Sequence, residues 1–341
     1  MNAERNHAID AMKGIMILFI IIHHGQLLPF IHHGYLAVDV FFWISGVFLM
    51  RSYLKREETA FQYTLRRVKH VFLPYLIAFL LACILDYKHL LSFNNFDEFM
   101  RIFTPFSAFL TLTEEMGALH HPFVVLVGGW YLSVLIIGGF LLYSLLEYND
   151  RIAKKVILPF GIVLGFTLLF SSNSSAENFS VAGAFSYPLL RGFVEMSAGA
   201  FLYSLLSAPP LGYSNKSALI NILAIIGFIF LIGIMVTNEQ LDAYTIVLIP
   251  IILTGLLIQD SWLNTFYQKA PTHILPALGT LSLEIYLIHS PILHIVHSLF
   301  TWLHLPIIPW LLVLIDTIAV ILSAYLLRRF CNALRLAHHR A

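Results

Sequence analysis

The chain has 341 residues, of which 59% are hydrophobic and only 11% charged, and its mean hydropathy is +0.81. A soluble domain typically has about 25% charged residues, so this composition excludes a soluble globular protein and predicts a polytopic membrane protein. The formal net charge is +1, which gives no sign of nucleic-acid binding. Cys83 and Cys331 lie far apart in or beside hydrophobic segments, so neither a disulfide framework nor a metal site is expected.

The first hydrophobic segment, Ala11–His24, carries a lysine near its start and two adjacent histidines at its end. Lys13 and His24 differ by about 20° around a helix and by about 16 Å along it, whereas His23 is turned about 80° away from Lys13. A cation at the membrane surface and an imidazole near mid-membrane are thus expected on one helix face. Ionisable side chains inside a membrane indicate a functional site.

Apolar runs between charged or Pro- and Gly-rich breaks predict about ten transmembrane helices. The expected fold is therefore an all-α polytopic membrane helix bundle, with residues 1–341 as a single domain. The predicted helices span residues 12–31, 35–54, 70–86, 128–147, 156–172, 187–206, 218–236, 243–259, 276–298 and 309–329.

The segment 104–125 competes with 128–147 for the fourth helix. It belongs to the stretch 87–127, which is apolar only in patches and carries several charged or titratable residues. They are Asp97, Glu98, Arg101, Glu114, Glu115, His120 and His121. The stretch is therefore predicted to be a long loop with membrane-surface segments.

The distribution of lysine and arginine predicts the orientation. With a cytoplasmic N-terminus, all but Lys88, Arg101 and Arg191 of the 20 lysines and arginines fall on the cytoplasmic side. This asymmetry is what the positive-inside rule predicts. Ten spans then leave both termini cytoplasmic, and no internal repeat of the kind found in many transporters is visible.

Six landmarks follow one another in a characteristic order. They are the Lys13–His24 segment, Tyr35–Leu49, Leu65–Tyr75, Trp130–Ser133, Tyr187–Leu205 and Leu278–Ile292. Together they resemble the acyltransferase 3 family of integral membrane acyltransferases, and the second landmark resembles the family signature G-V-D-x-F-F-x-x-S-G. The resemblance covers essentially the whole chain. It implies transfer of an acyl group, typically acetyl from acetyl-CoA, to an extracytoplasmic saccharide.

Two positions depart from the family pattern. Lys13 stands where the family usually has Arg, which keeps the charge but loses the planar guanidinium fork. His70 stands at the second basic position of the family's Arg-x-x-Arg, which here begins at Arg67. Both departures concern cations that the resemblance assigns to the phosphates of the donor.

His24 is the predicted catalytic residue. Acyl transfer from a thioester needs a base for the proton of the attacking hydroxyl, and a neutral imidazole serves this purpose near pH 7. A covalent acyl-imidazole is a second possible use, and a histidine bonded to a neighbouring carbonyl is the structural alternative. His23 is expected to point toward lipid or a neighbouring helix.

Asp39, early in the second helix, is also predicted to be catalytic. The first two helices run antiparallel, so Asp39 is expected at a depth similar to that of His24, where it would orient the imidazole as in a catalytic triad. The alternative is an ion pair with Arg191 or a contact with a helix N-terminus. Ser45 and Gly46, nearly two turns further along, are expected to allow close helix packing.

The predicted donor-binding residues are cations of the cytoplasmic side that would hold the phosphates of acyl-CoA. They are Lys13, Arg66, Arg67, Lys69 and His70. The alternative is that these residues only obey positive-inside topology. Acyl-CoA, above all acetyl-CoA, is expected as a co-substrate, with no permanently bound cofactor and no metal.

Five further residues are candidates for binding the acceptor, namely Trp130, Arg191, Glu195, Glu284 and His289. Arg191 and Glu195 are four residues apart on one helix and are expected to pair. Structural ion pairs are the alternative for the charged members, and a membrane-interface anchor is the alternative for Trp130.

These features predict a multi-pass O-acyltransferase of the cell inner membrane. It would move an acyl group, in the simplest case acetyl, from cytoplasmic acyl-CoA to a hydroxyl of a saccharide or glycolipid. The expected partners are acyl-CoA, this acceptor and the lipid bilayer, not nucleic acid, and no oligomeric state is specified. A transporter or exporter of a glycan or other small molecule is the main alternative, and a structural envelope protein is another.

Overall fold

The computed structural model describes residues 6–26, 28, 30–55, 58–85, 126, 129–172, 181–182, 185–207, 217–258, 262, 265–266 and 273–338. Its main helices, in chain order, are α1 (His7–Gly25), α2 (Leu36–Lys55), α3 (Ala60–Leu85), α4 (Gly129–Tyr148), α5 (Asp150–Ile152, a π-helical turn Ala153–Ile157 and Leu158–Ser172), α6 (Tyr187–Leu206), α7 (Ser217–Val236), α8 (Thr245–Leu257), α9 (Ile274–Trp302) and α10 (Pro309–His338). Two short antiparallel strands, β1 (Val181–Ala182) and β2 (Phe185–Ser186), precede α6.

Nine of these helices are long and apolar enough to cross a membrane. The remaining helix, α8, is shorter, with 13 residues, and follows a 3₁₀ turn at Asp242–Tyr244. The predicted polytopic helix bundle is therefore confirmed, and the chain is a multi-pass membrane protein. The loop predicted over 87–127 lies outside the described residues except for Leu126, and the cytoplasmic position of both termini stays a prediction.

The helix α1 begins and ends earlier than the predicted span 12–31. It begins at His7 because the Asn6 side chain caps it, accepting a hydrogen bond of 3.0 Å from the backbone N–H of Ile9. It ends at Gly25 because Gln26 takes a left-handed conformation with φ 52°, which stops the helix. His24 consequently lies in the last turn of α1 rather than in the middle of a helix.

The helix α3 also begins earlier than predicted, at Ala60 instead of residue 70. Thr59 and Gln62 form a reciprocal capping box, and Glu147 of α4 accepts a hydrogen bond of 2.9 Å from the Ala60 N–H. The basic residues 66–70 therefore lie within the helix, about two turns from its start, and not at its beginning.

Two helix pairs pack at backbone distance through glycines. A Cβ added at Gly14 of α1 would meet the carbonyl oxygen of Leu275, and one added at Gly279 of α9 would meet that of Asp10. In the α2–α6 pair, a Cβ at Gly46 would likewise meet the carbonyl oxygen of Met196. Close approach of this kind is typical of small residues in membrane helices, and it confirms the expected packing role of Gly46.

The contacts along α1 and α9 show that these two helices are parallel. Asp10, near the start of α1, lies against Gly279, near the start of α9, and His24 at the end of α1 lies against His289. His289 is at the middle of the 29-residue α9, so α1 ends about halfway along its neighbour. If ten consecutive helices each cross the membrane, all odd-numbered helices point the same way. The parallel arrangement of α1 and α9 agrees with this prediction.

Candidate active site

Two histidines meet at the end of α1. The ring centroids of His24 and His289 are 4.8 Å apart, and His24 is exposed whereas His289 is buried. His289 Nδ1 lies 2.6 Å from the carbonyl oxygen of Tyr286. Because a carbonyl oxygen only accepts, Nδ1 carries the hydrogen. His289 Nε2 is buried without a hydrogen-bond partner among the described residues.

The adjacent His23 has a different environment. Its Cβ packs against Gly34, in the segment that leads into α2, so that a Cβ added at Gly34 would collide with it. Its ring contacts Tyr35 at 5.8 Å between centroids. His23 therefore packs against the connection between the first two helices, and the exposed member of the pair is His24.

A cavity of about 190 Å³ lies between α1, α2, α3, α4 and α9. The basic residues Lys13, Arg67 and His70 line it. The residues of α2 that line the cavity share one face of the helix and extend from Val38 to Phe48, a distance of about 15 Å along its axis. Most of the remaining wall is apolar, with hydroxyl groups from Ser45, Tyr131, Ser282 and Tyr286.

Aromatic contacts order the cavity along the bundle. Phe42 of α2 contacts Tyr131 near the start of α4, with 4.7 Å between centroids. The Arg67 guanidinium lies 5.2 Å from the ring centroid of Tyr63, and that ring stacks on Tyr143, about three turns beyond Tyr131 on α4. The Arg67 guanidinium and Tyr131 therefore lie toward opposite ends of the cavity.

The tyrosine end of the cavity adjoins the two histidines. The rings of Tyr131 and Tyr286 are 5.2 Å apart, and those of Tyr286 and His289 are 5.7 Å apart. Since α1 and α9 are parallel and Gly14 meets Leu275 and Gly279, the neighbouring Lys13 lies nearer the start of α9 than Ser282 and Tyr286. His24 and His289 do not line the cavity, but ring contacts connect its wall at Tyr131 and Tyr286 with His289 and, through His289, with His24.

The predicted donor cluster divides into two groups. Lys13, Arg67 and His70 line the cavity, whereas Arg66 and Lys69 are exposed and do not line it. Arg66 instead forms an ion pair with Glu58 in the connection between α2 and α3. The hydrogen bond from Arg66 holds the pKa of the Glu58 carboxyl below its usual value.

Asp39 belongs to a buried ion-pair network. Arg191 of α6 donates from Nε to Asp39 Oδ1 at 2.7 Å, and its terminal nitrogen binds the same oxygen and the Tyr35 carbonyl. Glu195 lies 3.6 Å from Arg191 Nε, as its spacing predicts. Among the described residues Asp39 makes no contact with His24, so the expected orienting contact is replaced by the alternative, the pair with Arg191.

The network continues to the start of α8. The Tyr35 hydroxyl donates to Asp242 Oδ2 at 2.8 Å, and His33 Nδ1 lies 2.6 Å from that hydroxyl and 3.0 Å from Asp242 Oδ1. Asp242 is completely buried, and Thr245 donates to its backbone carbonyl. The segment that packs against His23 is thereby tied to α8.

A comparison with protein-family profiles supplies the identity. The acyltransferase 3 profile, an acyltransferase domain, matches residues 6–329 of the 341. The chain belongs to the acyltransferase 3 family. It is therefore a membrane acyltransferase, which decides against the transporter alternative. Searches among curated proteins and among solved structures gave no match.

In this acyltransferase, the five residues predicted to bind the acceptor do not form one site. His289 lies beside His24, whereas Arg191 and Glu195 belong to the buried network. Glu284 accepts two hydrogen bonds from Arg328 of α10, at 2.9 and 2.6 Å. Trp130 is buried under the Arg191 guanidinium rather than exposed as an interface anchor. The acceptor role of these residues stays a prediction.

Sequence reasoning missed several polar residues of the acyltransferase. The predicted site residues do not include His33 or Asp242, and Tyr35 enters only as the first residue of a landmark, although the buried network depends on all three. Sequence reasoning predicts only a packing role for Ser45 and only a place in a family landmark for Tyr131, yet their hydroxyl oxygens are 3.2 Å apart in the cavity wall. The one available signal was an isolated carboxylate, Asp242, at the start of an apolar run, because such a residue needs a buried partner.

Proposed function

We propose that this protein is an O-acetyltransferase that moves an acetyl group from cytoplasmic acetyl-CoA to a hydroxyl of an extracytoplasmic saccharide or glycolipid. Its membrane would be the cell inner membrane, with both termini cytoplasmic. The observation that carries the proposal is a cavity that is lined by Lys13 and Arg67 and whose wall residue Tyr286 contacts His289, the neighbour of His24. It joins cations suited to phosphates with an imidazole suited to proton transfer.

In the proposed reaction, an imidazole nitrogen of His24 accepts the proton of the acceptor hydroxyl. The hydroxyl oxygen attacks the thioester carbonyl carbon, a C–O bond forms, and the C–S bond breaks. The leaving thiolate takes the proton back from the imidazolium, so that the products are an O-acetyl ester and free CoA. The exposure of His24 supports this role, because a base must reach the hydroxyl.

His289 would bind the acceptor rather than act as the base. Its Nδ1 hydrogen is donated to Tyr286, so the neutral ring offers Nε2 as a hydrogen-bond acceptor. That atom has no partner among the described residues, and it belongs to the ring that contacts His24. A second hydroxyl of the saccharide would satisfy it and hold the reacting hydroxyl near His24.

Labelled acetyl-CoA and the purified protein test the proposal directly. With cell-envelope glycan as acceptor, we expect the label to move to the glycan and one free thiol to appear per acetyl group transferred. Mass spectrometry of envelope glycans from cells with and without the gene identifies the product. A purified, folded protein that leaves acetyl-CoA intact with every envelope fraction contradicts the proposal.

A further inference from the structure

The hydroxyl groups of Ser45 and Tyr131 form a polar site inside an otherwise apolar part of the cavity. Both residues are buried, and their oxygens are 3.2 Å apart. The side chains nearest along the lining from α2 and α4 are apolar, among them Phe41 and Leu135. Buried hydroxyls are normally satisfied by hydrogen bonds, so two of them facing a cavity indicate that its occupant is polar at this point.

The hydrogen count supports the same conclusion. Ser45 and Tyr131 bring two O–H hydrogens, and only one of them is used in the bond between the two oxygens. Among the described residues no acceptor takes the second hydrogen. The pair therefore has one hydrogen to donate into the cavity, and this donor suits a neutral carbonyl oxygen rather than a phosphate, which the cations would attract.

The position of the pair indicates which part of a donor it would meet. Lys13 and Arg67 lie toward one end of the cavity, and Tyr286 leads to His289 and His24 at the other. If phosphates bind the cations and the thioester reaches His24, the pantetheine arm passes the hydroxyl pair. That arm is a chain of apolar methylene groups interrupted by two amides, which matches an apolar wall with one hydroxyl site.

We propose that the Ser45–Tyr131 hydroxyl pair binds an amide carbonyl of the pantetheine arm of acyl-CoA. This inference rests on the proposed function, because it requires a CoA thioester as the donor. It also revises the expectation for Ser45, which was a helix-packing role like that of its neighbour Gly46. The pair would hold the arm in register, so that the thioester stops beside His24.

Titration of purified protein with CoA tests the proposal. Removing one neutral hydrogen bond in Tyr131→Phe or Ser45→Ala should weaken CoA binding by about 2- to 10-fold. Since the two hydroxyls act as one site, the double variant should bind CoA only slightly more weakly than the single variant with the lower CoA affinity. Tyr143→Phe is the matched control: its buried hydroxyl is on the same helix but donates to the Glu58 carbonyl outside the cavity, and CoA affinity should be unchanged.

A second ligand locates the effect on the arm. Adenosine 3′,5′-bisphosphate carries phosphates but no pantetheine, so Tyr131→Phe should leave its affinity unchanged, whereas Arg67→Ala should weaken both ligands. Folded Tyr131→Phe and Ser45→Ala variants that bind CoA like the wild type overturn the hydroxyl-pair proposal alone. A wild-type protein that binds neither ligand overturns the proposed donor and the hydroxyl pair with it.

Discussion

Lys13 and Arg67 face a cavity of about 190 Å³, whereas Arg191 is buried between Asp39, Glu195 and the Tyr35 carbonyl. Both regions contain cations within a hydrophobic bundle. In the cavity, the Lys13 ammonium has one ion-pair partner among the residues that the structure describes, Asp10 at 2.8 Å, and its other N–H donors can serve a ligand. In the network, the guanidinium is held by oxygens of α2 and α6 and covered by the Trp130 ring.

This difference separates two uses of a charge in a membrane protein. A charge that protein groups already neutralise joins helices, and removing it leaves its partners buried and unsatisfied. A charge that faces open space does little for the fold and is available to a substrate. We therefore expect substitutions along the cavity and at His24 to change activity or affinity, and substitutions in the network to change stability.

The largest expected effect is at His24. A general base typically contributes about 10²- to 10⁴-fold to rate, so His24→Ala should reduce acetyl transfer by this factor while expression and CoA binding stay intact. His23→Ala removes the same atoms one residue earlier and should cost far less, because His23 packs against Gly34. An active His24→Ala protein beside an inactive His23→Ala protein would show that the assignment is wrong.

The next effect concerns the stability of the network. Arg191→Met keeps the volume but leaves Asp39 and Glu195 buried without their cation, which should lower the free energy of unfolding by about 3–5 kcal/mol. Unfolding by SDS in mixed micelles measures it. Arg67→Met, which removes a cation that lines the cavity, is the control and should change stability by far less. Equal losses of unfolding free energy in the two variants would contradict the proposed difference between the buried network and the cavity.

Lys13 should govern donor affinity. A hydrogen bond from a charged group contributes about 1.5–3 kcal/mol, so Lys13→Ala should weaken CoA binding by about 10- to 100-fold. Lys13→Arg should retain much of the affinity, because it restores the family's usual cation. Lys69→Ala removes an equal charge from an exposed position that does not line the cavity, and its CoA affinity should match the wild type. A stronger effect at Lys69 would contradict the assignment.

The smallest effect is at Glu58. Its folded-state pKa is depressed, first by the hydrogen bond from Arg66, so its stabilising contribution is complete above its ordinary pKa and disappears as pH falls through the folded value. The pair is largely exposed on the Arg66 side, which limits the contribution to at most about 1 kcal/mol. The stability difference between wild type and Glu58→Gln should therefore shrink on acidification. A stability difference that grows as the pH falls would contradict this prediction.

Sequence reasoning recovered the helices well and their ends less well. The apolar runs located the described helices, because hydrocarbon requires long uninterrupted hydrophobic stretches. The start of α3 was misjudged by ten residues, since Arg66 and Arg67 look like a membrane boundary in sequence. In the structure a Thr59–Gln62 capping box begins the helix well before them.

The same limit applies to the site. The helical period identified His24 and Lys13 from one segment, because residues on one helix have a known angular relation. It offered no means of finding that Asp39 binds Arg191, a residue 152 positions later in the chain. Whether a buried carboxylate meets a histidine or a guanidinium depends on which helices pack together.

The sequence by itself determined that this is a multi-pass helical membrane protein, that its ordered motifs are those of acyltransferase 3, and that His24 is turned away from His23. Hydrophobicity and helical period carry these conclusions, and both are properties of local sequence. Only the tertiary structure decided that His289 joins His24, that Ser45 and Tyr131 share a cavity, and that Asp242 closes the network at Tyr35. Those contacts join helices that are distant in sequence, and glycine contacts such as Gly14 with Leu275 determine how closely such helices approach.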